Sequence, residues 1–204
     1  MSGDEARAAL EPEEAARALW YALLSRLLYA PPDRELLVQL AAGLEDGAEA
    51  EAGAFIDTLR AVQLACREAD PDALRDEYES LFVGVGKAPV TPYTSAYAAA
   101  HAPDRHLVAL RARLLEWGLT RRDQVFEAED HVAALCDAMR WLIGRVRPLE
   151  EQRDFFVEFV APAMPGFCDA ISRMPGADFY RKVGAFARAY VALEQDAFDM
   201  HTPA

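Results

Sequence analysis

The sequence predicts an all-α protein, and three observations carry that reading. Apolar residues recur three and four positions apart along most of the chain. No stretch combines period-two alternation with hairpin turn chemistry. Proline, glycine and aspartate fall where helices would start and stop. About eight to ten helices fit between these marks around one core. They form a single domain of residues 1–204, with 1–11 expected to be flexible. No internal repeat and no low-complexity tract interrupts the pattern.

The elements follow in order. Pro12 suits a first helical turn, with Glu13 and Glu14 complementing the positive end of the helix dipole. Leu19, Trp20, Leu23, Leu24, Leu27 and Leu28 form that helix's core stripe, and Pro31-Pro32 ends it. A short helix is predicted over 33–42 and closed by Gly43, with 45–52 as a polar connection. Phe55, Ile56, Leu59, Val62 and Cys66 mark the next helix. Asp70-Pro71 reads as the N-cap and first position of a helix through Leu74, Tyr78, Leu81 and Phe82. Beyond a loop, Asp104 is expected to cap a helix bearing Leu107, Leu110, Leu114 and Leu115, ended by Gly118. The strongest helix spans 129–146, with Val132, Leu135, Cys136, Met139, Leu142, Ile143 and Val146 on one face. Residues 150–160 carry Phe155, Phe156 and Phe159, and Pro162 breaks the run. A short helix over 163–174 precedes a last one, capped by Asp178 and bearing Phe179, Val183, Phe186, Tyr190 and Phe198.

A chain of this length buries a full core without cross-links. Its three cysteines, Cys66, Cys136 and Cys168, have neither disulfide-framework nor metal spacing and read as small core residues. A reducing, cytoplasmic compartment follows. The first residues lack the basic and apolar regions of a secretory signal, and charges interrupt every long apolar run, so no membrane span is expected. The net charge of −13 argues against nucleic acid and anionic membrane as partners and permits a basic ligand.

Several reactive readings fail on spacing. Gly84-Val85-Gly86-Lys87 is not a P-loop: Leu81 stands where its first glycine belongs, Ala88 follows the lysine, and a helix precedes it. Ser95, His101 and Asp104 have no spacing that would assemble a triad. His101, His106, His131 and His201 show no metal-ligand pattern, so no metal or cofactor is assigned. Glu129 and Asp130 suit the first turn of a helix. Helical counting puts His131 above Leu135, Met139 and Leu142, with Asp130 about 100° away, so the pair would straddle a groove edge.

The stretch 76–97, DEYESLFVGVGKAPVTPYTSAY, is the anomaly of this acidic chain. From Gly84 to Tyr97 only Lys87 is charged, and Gly84, Gly86, Pro89 and Pro92 hold a loop closed by Tyr93 and Tyr97. Long irregular loops inside compact domains are usually functional or disordered, and an apolar aromatic loop is a poor candidate for disorder.

Two segments resemble a known family. Tyr78-x-x-Leu81-Phe82-Val83-Gly84 followed by Pro92-Tyr93-x-Ser95-x-Tyr97 is similar to the signature loop of the TorD/DmsD-type chaperones. Glu127-x-x-Asp130-His131 looks like their second signature, E-P-x-D-H, and Asp178-Phe179-Tyr180-Arg181 is similar to their C-terminal segment. Ala128 stands in place of the family's proline, which should loosen that turn. Gly86 replaces an aromatic of some members, and Ala163 follows Pro162 where a Pro-Trp pair is common.

The resemblance implies a cytoplasmic chaperone for a molybdenum-cofactor oxidoreductase. It would bind the twin-arginine signal peptide or body of the apo-enzyme, delaying export until the cofactor is inserted. A twin-arginine translocase is a further partner, and the chain would be a monomer or homodimer. The implied peptide-binding residues are Tyr78, Leu81, Phe82, Pro92, Tyr93, Ser95, Tyr97, Asp130 and His131. Burying about 400 Å² of apolar surface gives on the order of 10 kcal/mol gross. Ordering costs reduce this to about −8 kcal/mol, which is micromolar binding. Apolar contacts should therefore dominate, so Leu81 and Tyr97 should matter more than Asp130. The alternatives are an assembly chaperone of a non-exported nitrate reductase, a nucleotide-responsive helical protein and a helical scaffold without peptide specificity.

Overall fold

The computed structural model describes residues 10–46, 53–84, 88–98, 101–120 and 127–201. Ten α-helices and two π turns account for the regular structure of the described residues, with no strand. The all-α reading holds. The expected flexibility of 1–11 concerns residues almost wholly outside those described, as does the 85–87 part of the glycine loop.

Helix α1 (Pro12–Tyr29) opens with Pro12 in its first turn, and Tyr21, Leu24, Leu27 and Leu28 are its buried residues. The expected stripe was rotated: Leu19 is 59% exposed, whereas Tyr21 is fully buried. The buried set i, i+3, i+6, i+7 keeps one face inward, and Tyr21 joins it because its hydroxyl finds an acceptor, Glu194. Helix α2 (Arg34–Asp46) runs on through Gly43. Gly costs a helix only about 0.5–1 kcal/mol, and burial of Leu36 and Leu37 outweighs it. Helix α3 (Ala54–Glu68) buries Leu59, Val62 and Cys66 as expected.

Helix α4 (Pro71–Tyr78) starts with the Asp70 side chain accepting from the Asp72 N–H. It passes into a π turn, Glu79–Val83, closed by the Gly84 N–H on the Glu79 carbonyl at 2.8 Å. Gly84 has φ 61°, a left-handed conformation that a side chain would strain. A four-residue helix, α5 (Ser95–Ala98), precedes α6 (Pro103–Glu116). Pro103, not Asp104, opens α6, so Asp104 lies in the first turn after an Ala102 N-cap. Gly118 (φ 71°) ends it as predicted.

Helix α7 (Val132–Gly144) forms the centre and packs along α1. It starts three residues later than predicted, with His131 as N-cap, and stops before Val146, whose φ of 52° is strained for a β-branched residue. Helix α8 (Leu149–Phe155) continues into a second π turn, Phe156–Val160, and α9 (Met164–Ser172) follows. Ala163, just after Pro162, is fully buried.

Helix α10 (Phe179–Met200) packs on α3, α9, α4 and α1. Asp178 does not cap it by side chain. Glu77 of α4 does so from across the fold, its two oxygens accepting the Phe179 and Tyr180 N–H groups at 3.1 and 2.8 Å. Further along, Glu194 accepts from the Arg17 guanidinium at 2.8 and 2.9 Å and from Tyr21. Gln152 of α8 and Glu14 also accept from the arginine, and its guanidinium lies over the Phe198 ring. Burial alone would lower the Arg17 pKa, but Glu194 and Glu14 outweigh it and raise it above its ordinary range.

The three cysteines are buried and free. Burial pushes the thiols of Cys66, Cys136 and Cys168 up to about 11, 12 and 12, so they stay protonated and inert at neutral pH. Among the described residues no single helix is long and apolar enough to cross a membrane.

Candidate functional site

The helices leave one irregular junction at the centre of the signature residues. The loop that follows the first π turn is tied back by the Val90 N–H on the Leu81 carbonyl at 3.0 Å. It then pairs with the segment before α7: Thr94 N–H donates to the Asp130 carbonyl and Val132 N–H to the Pro92 carbonyl, both at 2.8 Å. Together they make an antiparallel bridge between Tyr93 and His131. Two stretches over thirty residues apart in sequence become one structure.

Polar side chains fix this junction. Thr94, fully buried, donates from Oγ1 to the Asp130 carbonyl at 3.0 Å, with His106 Nε2 3.3 Å from the same hydroxyl. The Tyr93 hydroxyl makes a short hydrogen bond to Glu127. That bond, with burial second, pushes the Tyr93 hydroxyl up to about 12. The bond also holds the 127–131 turn, closed further by His131 N–H on the Ala128 carbonyl at 3.1 Å, without the family's proline at 128. His131 Nδ1 accepts the Ala133 N–H at 3.2 Å. Its ring sits edge-on to Tyr93 and Tyr29, with centroids 5.7 and 6.0 Å away. An Nδ1 acceptor must be unprotonated, and burial lowers the His131 pKa despite Glu127 and Asp130 nearby.

The predicted residues divide into two groups. Tyr93, Ser95, Asp130 and His131 meet at the junction, with Pro92 buried behind them. Leu81 and Phe82 lie in the core, Phe82 against Tyr78, Phe167 and Tyr180. They support the loop and line neither of the two clefts described below, so Leu81 packs in the core rather than at the contact surface expected of it. Tyr78 closes the end of α1, its hydroxyl donating to the Tyr29 carbonyl at 2.6 Å. Tyr97 is a strut: its hydroxyl donates to the Thr91 carbonyl at 2.8 Å and its ring packs on Phe167. The ring also lies against Gly166, where a Cβ would come within 3.2 Å of it. Asp130 and His131 lie before α7 rather than in its first turn, and they line two different clefts on either side of the 127–131 turn.

Two clefts flank the 127–131 turn and share Ala128. The smaller, about 530 Å³, is lined by Thr91, Tyr93, Ser95, Ala96, Leu107 and Asp130 besides. Asp130 is a buried carboxylate here, 2% exposed, with one long hydrogen bond from the Ser95 N–H at 3.4 Å. The larger groove, about 920 Å³, lies between α6, α7 and the end of α1. Its apolar lining includes Tyr29, Leu114, Leu119, Ala134, Ala138 and Trp141, with Glu127, Glu129, Asp137, Arg111 and Arg140 among its polar residues. Glu129 pairs with Arg111 and Asp137 with Arg140. Glu127 and His131 of the second signature line this groove, so that motif marked one side of it, whereas its α6 and α7 walls were not singled out by either motif.

Two adjoining clefts thus open at the irregular junction of the bundle, both of mixed lining, with Asp130 in the smaller and Glu127, Glu129 and Asp137 among apolar residues in the larger. No cluster of three or more metal-binding side chains occurs among the described residues. The chain belongs to the family described as "Nitrate reductase delta subunit", whose model matches residues 44–169 and so spans the whole junction. It is 27% identical over 187 residues to the Tat proofreading chaperone DmsD of Salmonella typhi, covering 86% of this chain and 89% of that protein. Its fold matches the crystal structure of an Archaeoglobus fulgidus protein assigned to redox enzyme maturation, with a TM-score of 0.51 at 18% identity, over 94% of this chain and 99% of that one. The resemblance to the TorD/DmsD chaperones holds.

Proposed function

We propose that the chain is a cytoplasmic, non-enzymatic chaperone. It binds the twin-arginine signal peptide or apo-form of a molybdenum-cofactor oxidoreductase and delays export until maturation. The observation that carries this reading is the Asp130 carboxylate, buried in a cleft that adjoins an apolar groove. A buried carboxylate is costly unless a cation or strong donors compensate it. A leader with two guanidinium groups beside an apolar run supplies both the cation and the apolar surface. Likeness to a Tat proofreading chaperone over most of both chains supports the same reading.

In this reading Tyr93, Ser95 and Asp130 contact the peptide. His131, Tyr78, Leu81, Phe82, Pro92 and Tyr97 hold those groups in place. The test is capture of the tagged chain from native cytoplasm with identification of what it holds. A molybdoenzyme precursor bearing its leader is expected, and calorimetry with that leader should give about micromolar affinity. No binding of the leader, by calorimetry at two temperatures and by a fluorescence titration, would remove the proposal. The family description favours a second reading, assembly of a nitrate reductase that is not exported. A captured client with no twin-arginine leader would establish that one instead.

A further inference from the structure

Residues 149–160 run as one helix, α8 continued by the second π turn, and none of them lines either cleft. The inner side of this helix buries Gln152, Phe155 and Phe156. Along its outer edge Leu149, Arg153 and Val157 follow at four-residue steps, the spacing of neighbours on a helix surface. Four residues overshoot an α-helical turn by about 40°. The wider π turn takes up part of that drift, so the three residues form one edge about 12 Å long. Leu149 is 39% exposed and Val157 46%. Val146, also exposed, stands just before them in its strained conformation.

Arg153, between the two apolar residues, is incomplete. Its Nε is buried without a hydrogen-bond partner, and it forms no ion pair among the described residues. A buried N–H without an acceptor has lost its water and gained nothing in return. Two nearby arginines show the completed state. Arg147 donates twice to Glu151, and Arg17 donates through Nε and a terminal nitrogen to Glu194. Glu150 and Asp154 are exposed beside Arg153 and do not pair with it.

The missing group is therefore an acceptor from outside the chain. A guanidinium fork matches a carboxylate or a phosphate. A free phosphate or a nucleic acid would meet an apolar residue at each end of this edge and two carboxylates beside it, which disfavour a polyanion. A carboxylate set between two apolar side chains fits all three positions. The edge is itself helical, with its backbone bonded internally, so a partner segment that also satisfies its own backbone fits best.

We propose that the 149–157 edge is a second docking surface, which takes a helix of a partner protein bearing Asp or Glu between two apolar residues at four-residue spacing. The partner's carboxylate closes on Arg153, and its apolar pair covers Leu149 and Val157. A Lys or Arg beside that carboxylate faces Glu150 or Asp154. The surface does not depend on what the clefts bind.

The full-length chain tests this. A photo-crosslinking residue in place of Val157, activated in native cytoplasm, should label a helical segment with that pattern, and the synthetic peptide of that segment should bind the wild-type chain. Label on a second copy of this chain alone, on a segment without an acidic residue, or on no protein overturns the proposal. Arg153→Leu should weaken the peptide at least tenfold while the melting temperature holds or rises, because a buried N–H without an acceptor is gone. A fall in melting temperature would mean that Arg153 is satisfied inside the fold, and overturns the proposal. Arg153→Glu should lose the peptide and regain it when the peptide's acidic residue is replaced by Arg. No recovery, with the variant folded by circular dichroism, overturns the pairing. A peptide that binds Arg153→Leu as well as it binds the wild-type chain does the same.

Discussion

At the interface of α1, α8 and α10, Glu194 is 3% exposed, and both its oxygens face the Arg17 guanidinium. At the junction before α7, Asp130 is as deeply buried, yet its side chain takes one long bond from a backbone N–H. The first carboxylate is complete within the chain. The second is compensated only in part and faces a cleft. Glu77 belongs with the first, since both its oxygens are occupied by the start of α10. The comparison separates carboxylates saturated by partners within the fold from one that keeps a single long hydrogen bond beside a cleft.

The largest expected effect is on the complete pair. Glu194→Ala leaves Arg17 half-buried without its main partner and should cost about 3–5 kcal/mol in urea unfolding. At temperatures where the variant stays folded, leader affinity should not change. Glu77→Ala removes a two-bond helix cap and should cost about 1–2 kcal/mol by the same measurement, again without loss of affinity. Asp130→Asn should do the reverse. Leader affinity should fall about tenfold, or about 1.4 kcal/mol, in calorimetry, while stability holds or rises because a partly compensated buried charge is gone. A parallel loss of stability and affinity in Asp130→Asn would erase the distinction.

The smallest effect concerns pH. His131 and His106 both have pKa values lowered by burial from the ordinary 6.5, so the folded state favours their neutral forms. Their contribution is complete above pH 6.5 and is lost as pH falls below it, where the unfolded chain binds more protons. Melting temperature should therefore fall between pH 7 and 5.5. His131→Asn, which keeps a capping acceptor that does not titrate, should reduce that fall. An unchanged slope would mean that the cap does not set it.

Helix existence was legible because the signals are local: Asp70-Pro71 started α4 and Gly118 ended α6 as their side chains dictate. Errors arose where a distant residue decides. Tyr21 entered the core because Glu194 waits for its hydroxyl, and α10 was capped by a residue about a hundred positions earlier rather than by Asp178. His131 looked like a core residue of α7 from its spacing. It became the N-cap because Val132 N–H turns to the Pro92 carbonyl. The junction was legible as two motifs, since each carries unusual residues. Which of those residues stay accessible was not, because Leu81 and Ser95 differ in exposure only after the helices have packed behind the loop.

The tie between Glu77 and α10 has a consequence for biosynthesis. Residue 77 leads directly into the π turn and loop that shape the site, but its partner N–H groups belong to residues 179 and 180, translated about a hundred codons later. Arg17 likewise waits for Glu194. On the ribosome, the first 170 or so residues therefore hold every junction residue while Glu77 and Arg17 still lack these partners. The last helix has to be translated before the end of α4 and the start of α1 are tied down.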